Sequence, residues 1–308
     1  MEIFYTPKQV TSSENMVNSC SKSPIKPRLV VEKLLAGEHS NKITVHDFEP
    51  LTRKDFEIAH DKNYVDAFLT GGEGCRSNGL PWSEELADSV KYTNGSLYYS
   101  IKYATENTNS FVLSPTSGFH HATPLRGGAF CTFSGQVIAS VKRYRETGAV
   151  GAYLDLDAHY GNSIGDSSIF CPDVDVAITL NLNPAMHGEL YLAELADGLE
   201  TLERQIDAGI DYVVWCHGAD SHRDDDLGGC VGTEDWLECS KMFYSFIRRK
   251  RNEGHNVPVV ASLFGGYRRD DYDFVINLHT RDLEMGMEIL ECEEKRQSIR
   301  GVDVQAAQ

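Results

Sequence analysis

Ala149-Val150-Gly151-Ala152-Tyr153-Leu154-Asp155-Leu156-Asp157-Ala158-His159-Tyr160-Gly161-Asn162 is the stretch that decides the fold. Its first half is an apolar run with no polar alternation, which predicts a strand buried on both faces, as in a parallel sheet. Its second half turns abruptly polar. Similar short runs, rich in Val, Ile and Leu, occur at 111–113, 174–182, 212–215 and 257–263. Between them, residues 135–146, 188–208 and 236–251 carry apolar residues at helical spacing. Strand–helix alternation of this kind predicts an α/β fold with a mostly parallel multi-stranded sheet and helices on both faces. Ligands in such folds sit beyond the carboxyl ends of the strands. No Pro/Ser/Gly linker divides the chain, so residues 1–308 read as a single domain. A charged amphipathic helix is expected over 281–297, followed by a loose tail over 298–308. The glycine-rich segment 72–82 reads as a lid or a surface excursion.

Composition narrows the function. The 308 residues are 41% hydrophobic with no low-complexity tract, which suits a globular core. A net charge of −17 makes nucleic acid a poor partner, because phosphate binding needs a basic face. Most of this acidity is expected to serve solubility, although an acidic protein can attract cationic substrates. The 8 cysteines include no Cys-x-x-Cys pair, so neither a disulfide framework nor a structural zinc site is expected. Free thiols fit a reducing, cytoplasmic setting. The opening residues lack a basic-then-apolar signal pattern, and no apolar run of about 18 residues suggests a membrane span.

Four segments carry the chemistry. Asp155, Asp157 and His159 alternate along a strand and its exit, so their side chains point the same way. Three polar groups there are costly unless something pairs with them. A divalent cation does so, and a salt-bridged strand end is the alternative. Asp220 follows the apolar run 212–215 through Gly218-Ala219 and is a third candidate ligand, leaving one coordination position open. His217 and His222 lie close by but read as structural hydrogen bonders. The adjacent His120 and His121, on a loop after 111–113, could exchange protons if carboxylates fix their tautomers, or could be a solvated pair. Finally, Gly265-Gly266-Tyr267 follows the run 257–263. Its glycines permit close approach of backbone to a ligand, and the phenol could donate to a developing oxyanion.

In this order, the segments Gly118-Phe119-His120-His121, Asp155-Leu156-Asp157-Ala158-His159, Gly218-Ala219-Asp220, Asp225-Asp226-Leu227-Gly228 and Gly265-Gly266-Tyr267 resemble the zinc-dependent histone deacetylase family, which includes acetylpolyamine amidohydrolases. Lys26-Pro27-Arg28 and His60-Asp61-x-x-Tyr64-Val65 also resemble family segments, so the likeness spans roughly residues 20–285. The resemblance implies an arginase/deacetylase-like fold and removal of acyl groups from acylated lysine or another acetylated amine. It implies one catalytic Zn2+ held by Asp157, His159 and Asp220. His121 would be general base and acid, with His120 its electrostatic partner. Asp155 would orient His120, Asn162 would face His121, and Tyr267 would stabilise the oxyanion. Phe130, Gly266 and Leu227 would contact substrate, with Met186 and His187 as rim candidates. A structural K+ would be held by Asp155 and Thr179, with carbonyls of Asp157, His159 and Leu180. A homo-oligomer that restricts the channel is compatible with the resemblance.

The chain departs from the family pattern at three places. Tyr160 replaces a second histidine, which could alter packing behind the site. Asp226 replaces a proline, which predicts a more acidic and more mobile loop. Asn162 replaces the aspartate of some members, and should raise the His121 pKa less than a carboxylate would. An arginase-like enzyme with two manganese ions would need carboxylates at 161 and 222, where this chain has Gly161 and His222. A leucine at 227, where polyamine-preferring members can carry an acidic gate, leans towards acyl-lysine or another neutral acyl amide. The remaining alternatives are an acetylpolyamine or other small-molecule deacetylase and a non-catalytic acyl-lysine binder.

Overall fold

The computed structural model describes residues 1–11, 21–183 and 190–291. Met186, His187, residues 292–297 and the expected loose tail lie outside the described residues. Seven strands form one sheet: β1 (Glu2–Phe4), β2 (Thr44–His46), β3 (Phe111–Ser114), β4 (Gly151–Asp155), β5 (Ile178–Leu182), β6 (Tyr212–Cys216) and β7 (Val259–Ser262). Their order is β2-β1-β3-β7-β6-β4-β5, and every pairing is parallel. The expected parallel α/β sheet is therefore present.

The central strands are apolar on both faces because both faces are covered. In β6, Val213 and Trp215 join one core while Tyr212, Val214 and Cys216 join the other. The first core is closed by helices α1 (Lys26–Ala36), α5 (Tyr191–Asp207), α6 (Thr233–Asn252) and α7 (Tyr272–Glu291). The second is closed mainly by α2 (Glu84–Glu106) and α3 (Gly135–Thr147). The short helix α4 (Ser163–Ser167) lies beyond the end of β4. Each Val or Leu buried in these layers contributes roughly 1.5–3 kcal/mol relative to exposure. Helix α2 starts where the Ser83 hydroxyl accepts the Leu86 N–H and two glutamates occupy the first turn. Helix α3 stops at Gly148, whose φ of 80° is left-handed.

Several expected boundaries shift. Residues 174–177 form a helical turn, and only Ile178–Leu182 is strand. The turn's Val174 and Ala177 are buried while Asp175 and Val176 are exposed, a helical rather than an alternating pattern. Helix α7 begins at Tyr272, well before the expected 281, because Tyr272, Val275, Ile276 and Leu278 already face the core. The three-residue strands β1 and β2 and the long helix α2 were not expected at all. The segment 72–82 runs largely over the surface but is anchored at Asn78. Asn78 accepts the Phe130 N–H at 2.7 Å through its carbonyl and donates to the Thr132 hydroxyl at 2.8 Å, so the segment buttresses the Phe130 turn.

Candidate metal and catalytic centre

The four chemical segments come from β3, β4, β6 and β7, which are adjacent in the sheet in the order β3-β7-β6-β4. Their carboxyl ends therefore open on one crevice. Asp157 and His159 lie just past the end of β4, Asp220 in the 3-10 turn after β6, and Tyr267 after β7. One donor atom each from Asp157, His159 and Asp220 lies within 4.8 Å of the others, and this is the metal-competent group among the described residues.

The trio is built by close backbone approach. A Cβ on Gly265 would lie 2.2 Å from Asp220 Oδ2 and 2.6 Å from Asp157 Oδ2, and one on Gly218 would lie 2.5 Å from Asp220 Oδ1. Only glycine leaves space for both carboxylates. The Gly265 N–H then donates to Asp157 Oδ2 at 2.8 Å, and the Ala158 N–H to Asp220 Oδ1 at 3.2 Å.

His159 has one ring nitrogen on each side of this arrangement. Its Nε2 donates to the Leu227 carbonyl at 2.9 Å, and a carbonyl can only accept. Nδ1 sits 3.0 Å from Asp157 Oδ1 and 2.9 Å from Asp220 Oδ2. Hydrogen bonds to these two carboxylates raise the His159 pKa to about 11. Burial and then repulsion from Asp157 lift Asp220 to about 7. Asp157 is held low, since the charge of His120 and hydrogen bonds from His159 outweigh its burial. Two buried carboxylates in contact are unstable without a positive partner.

The histidine pair sits opposite. Gly118 carries a φ of 88°, and a Cβ there would meet the Phe130 carbonyl at 3.0 Å, so the turn before His120 needs glycine. His120 Nδ1 lies 2.9 Å from Asp155 Oδ2, and Nε2 lies 3.7 Å from Asp157 Oδ1. Burial disfavours its charged form, but Asp155 and Asp157 overcome this and raise it to about 9. His121 Nδ1 lies 3.1 Å from Asn162 Oδ1. The Asn162 amide is itself fixed, because Nδ2 donates to Asp166 Oδ2 at 2.6 Å. Burial and the charge of His120 lower the His121 pKa, with Asn162 opposing. Burial, then the charges of Asp157 and Asp220, push Tyr267 well above its ordinary value and keep it a donor. The His159 ring centroid lies 6.0 Å from that of His121 and 6.3 Å from that of Tyr267, and Phe130 stands 5.6 Å from Tyr267.

Other expected residues fall as follows. His217 is stacked on Trp236 at 3.7 Å and His222 bonds Thr233, both away from the trio as expected. Leu227 is 45% exposed at the rim, with Tyr160 at 73%. Gly266 is packed tightly, since a Cβ would meet Val275 Cγ1 at 2.5 Å. The potassium set needs correction. Thr179 is exposed, and its hydroxyl donates to the Gly151 carbonyl at the opposite end of β4 from Asp155. Four strand steps separate Gly151 from Asp155, about 13 Å at the usual rise, so Thr179 and Asp155 do not share an ion. The nearby Asn181, paired with Tyr153, has a buried Oδ1 without a hydrogen-bond partner.

The loop expectation at Asp226 also needs correction. Asp224 pairs with Arg268, Asp225 Oδ2 accepts the Tyr267 N–H at 2.6 Å, and Asp226 accepts both the N–H and the Nε–H of Arg269. Three carboxylates tie the loop to the next turn where a proline was replaced. Reading by motif also missed Lys26 and Asp166 as parts of the site. Lys26 is fully buried and donates to the carbonyls of Phe264 and Gly265, and burial pulls it down to about 8. Only the four-residue spacing of Asp166 from Asn162 on a helix start could have signalled the last of these.

The family model for the histone deacetylase domain matches residues 21–182. Histone deacetylase 2 of Arabidopsis thaliana is 25% identical over 258 residues, which cover 72% of this chain and 63% of that protein. The chain thus spans less than two thirds of that relative's length. A crystal structure of an acetylpolyamine aminohydrolase from Burkholderia pseudomallei matches with a TM-score of 0.69 at 16% identity, covering 94% of this chain and 99% of that one. At that identity the likeness is one of fold. Among the described residues no helix is long and apolar enough to cross a membrane.

Proposed function

The chain belongs to the histone deacetylase family, and from that premise we propose that it is a zinc-dependent amidohydrolase that removes acyl groups, chiefly acetyl, from lysine-type amines. The observation that carries the reading is the setting of His159. Its Nε2 hydrogen is committed to the Leu227 carbonyl, so a neutral ring turns the Nδ1 lone pair towards two buried carboxylate oxygens. Three lone pairs converging in a buried space call for a cation, and two carboxylates with one imidazole suit Zn2+ with an open position. Asp157, His159 and Asp220 would hold it. When bound, zinc would polarise the acyl carbonyl and acidify a water.

The protein's own groups supply the rest. The Asn162 oxygen accepts the Nδ1–H of His121, leaving Nε2 free to take a proton from the attacking water and return it to the departing amine. The lowered pKa of His121 favours the neutral, accepting form. His120, held cationic by Asp155, places positive charge beside the acyl carbonyl. The Tyr267 hydroxyl donates to the carbonyl oxygen as negative charge grows on it. Phe130 walls the channel.

A second ion of the arginase kind is disfavoured by space as well as by composition. A Cβ on Gly161 would lie 2.5 Å from Asp155 Oδ2 and 3.1 Å from His120 Nδ1, so the Asp155–His120 pair occupies the place of the second carboxylate. For the substrate, the acidic run Asp224–Asp226 is consumed by Arg268, Arg269 and backbone N–H groups. It offers little to a polyammonium chain, whereas Leu227 and Tyr160 present an apolar rim. This favours acyl-lysine or another neutral acyl amide over acetylpolyamine. Thr179 does not fit the set expected for K+, and no role is assigned to that ion.

The test is a deacylation screen across acetyl-lysine peptides, longer acyl-lysines and acetylpolyamines, with and without a zinc chelator. Chelator-sensitive turnover that collapses in Tyr267→Phe and His121→Ala, with one zinc retained, supports the proposal. Turnover that survives both substitutions defeats the mechanism, and tight acyl-lysine binding without turnover favours a non-catalytic binder.

A further inference from the structure

The turn that carries Tyr267 has little of its own to hold it. Phe264 sits at φ 53° and Gly266 at φ 142°, and residues 263–268 have no regular secondary structure. A non-glycine residue in the left-handed region persists only where its surroundings impose it. From inside, Lys26 holds the carbonyls of Phe264 and Gly265. From outside, the acidic loop after Asp220 holds the rest. Asp225 takes the Tyr267 N–H on Oδ2 and the Leu227 N–H on Oδ1 at 3.0 Å. The Leu227 carbonyl in turn receives Nε2–H of His159. One carboxylate therefore links the backbone of Tyr267 to the ring of His159. Two residues past Tyr267, Arg269 donates its N–H to Asp226 Oδ2 at 3.0 Å and its Nε–H at 2.8 Å. The loop's own base is pinned by the His222–Val231 bridge and by the Asp224 N–H on His222 Nδ1 at 3.1 Å.

We propose that Asp225 and the Asp226–Arg269 pair are positioning residues for Tyr267, forming a latch that fixes the phenol relative to the metal-side histidine. The latch rests on the reading of Tyr267 as the oxyanion donor. Asp225 is its inner, half-buried part, and the Asp226–Arg269 pair is its outer part. The outer pair lies in solvent, with side-chain exposures of 31% and 63%, so ionic strength reaches it directly. Removing it lets the outer half of the turn, from Tyr267 on, drift, while Lys26 and the Gly265 N–H bond to Asp157 keep Phe264 and Gly265, and with them the trio, in place. A small drift of a catalytic group is costly, since a misplacement of about 1 Å can lower a rate ~100-fold.

The experiment uses the full chain with Asp226→Asn, Arg269→Gln and the charge swap Asp226→Arg/Arg269→Asp, each also in a Tyr267→Phe background. Hydrogen exchange over the 264–271 peptide is followed in zinc-loaded and metal-free protein. The single variants should lower kcat roughly tenfold with KM and zinc content unchanged. They should lose any effect in Tyr267→Phe, and the swap should recover part of the rate. Exchange at residues 267 and 269 should speed up in both metal states while the peptides of β4 and β6 stay as they were. Added salt should lower kcat in the wild type more than in Arg269→Gln. An unchanged exchange pattern overturns the latch, and so does a rate loss that persists in Tyr267→Phe. Absence of wild-type turnover on every acyl amide would count against the enzymatic reading alone, and exchange would then decide the latch.

Discussion

Replacing Gly265 by alanine tests the geometry of the metal trio with a single methyl group. The added Cβ would stand 2.2 Å from Asp220 Oδ2, 2.3 Å from its Cγ and 2.6 Å from Asp157 Oδ2, against a floor of 3.0 Å for real Cβ contacts. The neighbours are the carboxylates of buried residues with no flexible stem to swing aside. The nearest oxygen must therefore retreat by at least 0.8 Å, or the turn must move by as much. Metal–ligand distances tolerate only about ±0.2 Å, so the shift exceeds the tolerance several-fold. Disturbing even the partners of ligands typically costs 10–100-fold in metal affinity, and here two ligands move directly. The expected result is at least a ~100-fold weaker zinc affinity in competition with a chelator, and turnover falling with metal occupancy at fixed free zinc. Displacement of the turn would also disturb the Gly265 N–H bond to Asp157 Oδ2. Circular dichroism should show the fold retained. A Gly265→Ala protein that binds one zinc with wild-type affinity would refute the placement of Asp157 and Asp220 as a shared site.

Three further outcomes follow from particular contacts. His60 donates through Nδ1 to the Thr123 carbonyl at 2.9 Å and accepts the Ser134 N–H on Nε2 at 2.8 Å, so the folded protein needs it neutral. Burial pulls it down to about 4. Between that value and the unfolded ~6.5 the unfolded chain binds more protons, so stability falls as pH drops through this window, by up to ~3 kcal/mol. Urea titrations should show His60→Gln with a flatter acid limb, and an identical limb would remove His60 as the cause. Zinc at about 100 times its Kd should stabilise the protein by ~2.7 kcal/mol, read as a rise in Tm that Asp220→Ala abolishes. A rise that persists in Asp220→Ala would place the ion elsewhere. Lys26→Met leaves the Phe264 and Gly265 carbonyls without their buried donor, at a cost of roughly 1–3 kcal/mol. Equilibrium denaturation should register the loss, and Lys26→Arg should restore part of it. Equal stability of Lys26→Met and wild type would show that the turn does not depend on this lysine.

Local sequence determined a good deal of this protein. The apolar runs at 151–155, 212–216 and 259–262 mark strands buried on both faces, because burial on two sides removes the polar alternation. The side chains named for the trio and the histidine pair lie just beyond strand ends, where an apolar run breaks into polar residues that need a partner. Periodicity could not reveal β1 and β2, which are three residues each and take their strand identity from pairing with a distant strand. Nor could it separate the helical turn at 174–177 from the strand that follows, since both are short and apolar. The expected partnership of Thr179 with Asp155 failed for a related reason. Position along a strand depends on register, and the pairing sets Thr179 beside the amino end of β4 while Asp155 closes its carboxyl end. The binding of Asp224–Asp226 to the Tyr267 turn joins residues more than forty positions apart and leaves no local trace. The chemistry of each segment is local and legible, because an unpaired polar group on an apolar strand betrays itself. Which segments meet is not, because the chain runs β3, β4, β6, β7 while the sheet places them β3-β7-β6-β4. That order, set by helices packing on both faces, is what brings His120, Tyr267, Asp220 and Asp157 to one crevice.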